Sequence, residues 1–166
     1  GPIYVGAEMR IDPALFTDPA LINAPPPPPT RAERVADLLQ SRKYAEATRL
    51  IQSSPEQDPE VESPGPAPDA RLLGVALLGQ GKAREAAEAI EGVYFDDPEL
   101  AAMPLDPGEI APDAMDLRRL VNTAVAAAQR NPSARAWLLV AVLMQAEGRD
   151  AVAGKMLLRA VDLGLD

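Results

Sequence analysis

The chain has 166 residues, with no Cys and no His, 25 acidic against 16 basic side chains, a formal charge of -9 and a pI near 4.5. Such a length sustains one domain that buries roughly two-thirds of its unfolded surface without disulfide or metal staples. Lacking Cys and His removes thiolate nucleophiles, imidazole bases and nearly all S- or N-ligated metal sites, and the acidic balance cannot drive nucleic-acid binding by counterion release, so the composition points away from an enzyme, a cofactor, nucleic acid and anionic membranes.

No stretch reaches the roughly 20 apolar residues of a membrane-spanning helix, and no basic segment with an apolar core opens the chain. Gly1-Pro2 reads as a protease scar, so the natural chain is expected to extend upstream. The compartment then stays open between the cytoplasm and the periplasm or cell envelope, and the absence of Cys fits both.

Residues 1–29 carry no helical period and close on five prolines, Pro25 to Pro29. Such a run is stiff, extended and without backbone donors, and it reads as a spacer or, from composition alone, as a polyproline ligand. Ahead of it lie Ile11, Leu15, Phe16, Leu21 and Ile22, too apolar for a solvated tail. This arm is expected to lie against an apolar surface of its own domain, as a built-in ligand, or of a second copy, as the strap of a homodimer.

The remainder, 30–166, reads as helices. Thr30-Arg31-Ala32-Glu33 is a capping box that opens the first helix. A second helix carries Ala47, Leu50 and Ile51. Residues 54–68 are acidic and proline-rich, a surface connection. A third helix runs from about Asp69 to Gln80 and a fourth from Lys82 to about Phe95, with Gly81 breaking between them. From Asp96 to Asp113, Pro98, Pro104, Pro107, Gly108 and Pro112 predict irregular chain. A fifth helix, about 113–130, sets Leu117, Leu120, Val121, Ala124, Val125 and Ala128 on one stripe. Asn131-Pro132 is expected to open the sixth helix, about 132–147, and Gly148 to join it to the seventh, about 149–163. Seven helices and no strand result.

Self-similarity runs through this series. Gly81, Ala86 and Pro98 recur as Arg42, Ala47 and Pro59 and as Gly148, Ala153 and Leu165, always with offsets of 5 and 12. With Leu73-Gly74, Gly81, Ala86 and Asp97-Pro98 in one register, and Trp137, Ala141, Gly148, Ala153 and Ala160 in another, the hairpins resemble tetratricopeptide (TPR) repeats. In the first unit Val35 and Arg42 stand where that family usually has glycine, which predicts a splayed hairpin or a unit of a related helical repeat. The closing prolines Pro59, Pro98 and Pro132 lie 39 and 34 residues apart, against a family period of about 34. The resemblance implies an all-α, TPR-like α-solenoid of hairpins with one degenerate repeat, its surviving half being the fifth helix, preceded by the extended arm.

It also implies a function, that of a non-catalytic protein–protein interaction scaffold. The family's ligand positions fall on Ala32, Ala36 and Leu39; on Arg71, Val75 and Leu78; and on Arg135, Leu138, Val142 and Gln145. Only two of these are charged, so the family's Lys and Asn clamp for a peptide carboxylate is not present as a set. A mainly apolar groove is expected instead, suited to an apolar helix or extended segment of protein. The same leucines and valines also read as inter-helix core. A second function class is a regulatory or substrate-recruiting domain of a larger enzyme or secretion component.

Several motifs read better as structure than as chemistry. Gly74, Gly79, Gly81 and Lys82 lack phosphate-loop spacing, and Ala83 replaces the metal-binding hydroxyl. Asp96-Asp97 and the run Glu56, Asp58, Glu60 and Glu62 lack the glycine-turned loop of a calcium site. Trp137 reads as packing, and Ser53-Ser54 and Lys155 have no activating partner.

Overall fold

The computed structural model of the protein describes residues 29–53 and 68–164. Among these the chain is all-helical, with eight α-helices and no strand. They are α1 (Arg31–Gln40), α2 (Tyr44–Gln52), α3 (Arg71–Gly79), α4 (Ala83–Asp96), α5 (Pro107–Ile110), α6 (Ala114–Arg130), α7 (Ala134–Ala146) and α8 (Asp150–Asp162), with a 3-10 turn at Pro98–Ala102. No helix among the described residues is long and apolar enough to cross a membrane. The arm residues Ile11, Leu15, Phe16, Leu21 and Ile22, the acidic run 56–62 and Pro59 lie outside the described residues.

Local chemistry explains the helix starts. The Thr30 hydroxyl accepts from the Glu33 N–H at 3.1 Å, as the capping box predicts. Asp113 caps α6 by accepting from Asp116 N–H at 2.8 Å. At α7 the structure differs from the expected Asn131-Pro132 start. Ser133 is the cap, its hydroxyl accepting from Ala136 N–H at 3.1 Å, and Pro132 stays outside the helix. Asp69 serves α3 from two residues ahead, accepting from Arg71 N–H at 2.9 Å.

The proline-rich stretch after α4 is more ordered than its composition predicts. Pro98 and Pro107 each sit at the start of a short helical turn, where a missing N–H costs nothing. Asp106 caps the second turn by accepting from Gly108 N–H at 2.9 Å. Leu105, Ile110 and Ala111 are buried. The segment therefore belongs to the core, and it adds the eighth helix to the seven expected.

Three hairpin turns share one bonding pattern. The N–H groups of Lys43, Lys82 and Arg149 donate to the carbonyls of Leu38, Leu77 and Met144 at 2.8, 2.9 and 3.0 Å. Those of Arg42, Gly81 and Gly148 donate to Leu39, Leu78 and Gln145 at 3.0, 2.9 and 2.9 Å. Each turn needs a left-handed residue, at φ of 61° for Arg42 and 80° for both glycines. The first hairpin is thus closed, not splayed. Arg42 accepts the unfavourable backbone because its guanidinium makes a two-pronged ion pair with the buried Asp116 of α6, one prong at 3.0 Å.

Close packing explains the small residues of α3. A Cβ on Gly74 would lie 2.6 Å from Ile90 Cγ1, so glycine is what lets α3 and α4 approach. Gly79 faces the Tyr44 ring so closely that a Cβ would overlap it. α7 is apolar nearly all round and sits at the centre, with Leu139, Val140 and Leu143 almost fully buried among α4, α6 and α8. Arg135 at its start pairs with Glu88 and Glu91 of α4 at 3.3 and 3.4 Å, and Gln145 near its end donates to the Ala101 carbonyl at 2.8 Å. α4 and α7 therefore run in the same direction, the single helix α6 supplying the extra reversal between two hairpins.

Candidate binding surface

The residues singled out by phase do not share one surface. Leu39, Val75 and Leu78 are interior, each no more than 1% exposed. The segment 98–130 lies over them: α5 packs on α1, and α6 packs on α3. Gln40 donates to the Gly108 carbonyl. Leu78 shares a cleft of about 210 Å³ with Asp116 and Leu120 of α6. Ala32 and Ala36 are partly exposed on α1.

Arg71 is also interior, and the bonds it makes hold the fold together. Its guanidinium donates to Asp69, to the Tyr94 hydroxyl at 3.0 Å and to the Leu100 and Met103 carbonyls at 3.3 and 2.6 Å. Burial pushes the Asp69 carboxyl up, but the hydrogen bonds from the Arg71 side chain and backbone outweigh it and hold the group below its usual value. Burial pulls the Arg71 guanidinium down, and its bonds to Asp69 and Tyr94 reverse that and raise it. Burial raises the Tyr94 hydroxyl against the opposing effect of Arg71. This cluster pins the 3-10 turn to the start of α3 and the end of α4.

The turn so fixed forms one wall of an open groove. Leu138, Val142 and Gln145 of α7 come together there, as the phase predicts, facing Leu157 and Val161 of α8 and Tyr94 of α4 across about 400 Å³. Pro98 and Ala101 close its side. The α8 contribution has a simple origin. Ala153 and Ala160 are buried, Ala153 at the floor of the groove, while Leu157 and Val161, on the flank of the same helical face, are 39% and 50% exposed. Leu158 and Leu163 extend the apolar surface. The α8 residues were not singled out from sequence, although the i, i+4 pair Leu157 and Val161 is a readable signal on a helix whose inner stripe is already supplied by alanine.

Arg135 lies elsewhere, on the wall of a larger cleft of about 640 Å³ between the starts of α4 and α7 and the end of α6. Two arginines there meet acids: Arg84 meets Glu88 at 3.5 Å, and Arg135 meets Glu88 and Glu91. Trp137 is buried, with the Arg159 guanidinium 4.9 Å over its ring, a packing role. Gly81 and Lys82 form the α3–α4 turn, and Asp96 and Asp97 are exposed. Among the described residues no group of His, Cys, Asp or Glu is placed to hold a metal ion. Set against models of known families, curated proteins and solved structures, the chain gives no match.

Proposed function

We propose that the protein is a non-catalytic interaction module, an adaptor or scaffold of TPR-like hairpins, that takes an apolar helix or extended protein segment in the groove between α7 and α8. The observation that carries this reading is the apolar stripe of α8, Leu157 and Val161, which no described residue covers and which faces Leu138 and Val142 across an open groove. Monomeric domains rarely leave such a stripe uncovered unless something binds it. The three matching hairpin turns and the phased small residues support the repeat reading. The segment 98–130, folded over the face that carries Leu39 and Leu78, shifts the binding surface to the outer end of the series.

A peptide-display selection on the full chain tests this. The wild type is expected to enrich apolar peptides, and Leu157→Asp/Val161→Asp to lose them while keeping its helical circular dichroism, since both positions face solvent. Equal enrichment by the two proteins would remove the site from this groove.

A further inference from the structure

We infer that the occupant of this groove is the chain's own N-terminal arm, with the stretch Ile11–Ile22 lying across Leu138, Val142, Leu157 and Val161 of the same molecule. The inference rests on the groove assigned above and names what fills it.

Three observations carry it. The first is position. Arg31, at the start of α1, donates to the Leu50 carbonyl and the Ser53 hydroxyl at the end of α2. Arg71, at the start of α3, donates to Tyr94 at the end of α4, and Tyr94 lines the groove. The arm thus joins the domain at the same end of the helices as the groove's inner wall.

The second is reach. α1, α2, α3 and α4 touch in sequence and α7 and α8 follow α4, so about three interhelix spacings, about 24–30 Å, separate the start of α1 from Tyr94 at the near wall, and two more, to about 40–50 Å, reach α8. A chain extended like polyproline, at about 3.1 Å per residue, covers about 22 Å from Pro29 back to Ile22 and about 40 Å back to Phe16. Back to Ile11 the same geometry covers about 56 Å, so the apolar stretch 11–22 brackets the distance from the near wall to α8. The proline run has no N–H groups with which to pair on the way.

The third is chemistry and concentration. Ile11, Leu15, Phe16, Leu21 and Ile22 match a groove walled by leucine, valine, alanine and a tyrosine ring. A short tether holds them there at an effective concentration on the order of millimolar. At that concentration even a weak apolar contact is occupied in cis before a second copy at micromolar concentration competes.

The chain has no Cys, so Thr17→Cys gives a single site for a nitroxide spin label on the full protein. The label is expected to broaden the amide signals of residues 138–161 that line the groove at least twofold more than those around Gly81, which precedes α4 at the end away from Tyr94. The effect should vanish when spin-labelled and isotope-labelled molecules are different copies, and also with Leu157→Asp/Val161→Asp. Broadening only in the mixed sample would make the arm a strap between copies and overturn the inference, as would broadening spread evenly over the domain. The arm variant Leu15→Asp/Phe16→Asp, put through the peptide selection, is expected to capture apolar peptides about tenfold better than the wild type, because its groove is free. Peptides bound through Leu157 with no localised broadening would leave the interaction module standing and remove the arm from it. Localised broadening with no peptide captured by the arm variant would keep the arm and remove the module.

Discussion

The hairpins α3–α4 and α7–α8 turn on the same bonds and the same left-handed glycine, yet they end in opposite situations. α3 is enclosed, with α2, α4 and α6 against it and Leu72, Val75 and Leu78 buried. Among the described residues α8 has a neighbour on one side only, and Leu157, Leu158 and Val161 are left at the surface. Identical local signals therefore fix the turn and not what covers the helices beyond it. Covering depends on which other elements arrive, and in this protein the proline-rich segment and α6 arrive at α3 and leave α8 bare.

Substitutions along the two hairpins sharpen this contrast. Leu78→Ala is expected to cost about 2–5 kcal/mol in chemical denaturation, because a buried leucine leaves a cavity. Leu158→Ala in α8, 65% exposed, should stay within about 0.5 kcal/mol of the wild type. Equal losses would mean that Leu158, which lies outside the lining of the groove assigned to the arm, is covered in solution as well. Gly79→Ala comes next, at about 1–3 kcal/mol, since the Tyr44 ring has to move and the gain in helix propensity of about 1 kcal/mol offsets only part of that. Gly148→Ala meets no neighbouring atom, so it isolates the left-handed backbone and should cost about 1 kcal/mol.

The smallest effect concerns the enclosed hairpin and acid. Asp69 is held below its unfolded value, so its contribution to stability is present above the unfolded carboxylate range and is lost as pH falls through the folded value. The melting temperature should therefore drop between about pH 5 and about pH 3, and Asp69→Asn should flatten part of that drop. An unchanged pH profile would detach the Arg71 cluster from the stability of the fold.

Much of this fold was legible from residue spacing. The hairpin glycines, the stripe of α6 and the Thr30 cap follow from helical periodicity and capping chemistry, and the structure carries them. What spacing does not encode is contact at long range. Nothing near Arg42 announces Asp116, so the sequence predicts a splayed turn where an ion pair from another helix closes it. Five helix breakers between Asp96 and Asp113 hide the fact that proline is harmless at a first helical position, and with it the short turns that cover α1. For the surface, Leu138, Val142 and Gln145 line one groove because their spacing sets them on one face of α7. It could not say that the same phase on α1 and α3 leads under α5 and α6.

Arg42 carries one last consequence. The other two turns are complete within their own hairpins, but this one relies on a carboxylate 74 positions downstream. Its backbone bonds are as local as those of the glycine turns, but the ion pair that supports the left-handed Arg42 closes a long loop, at an entropic cost. The support of this turn therefore comes only with α6, whereas each glycine turn carries its own.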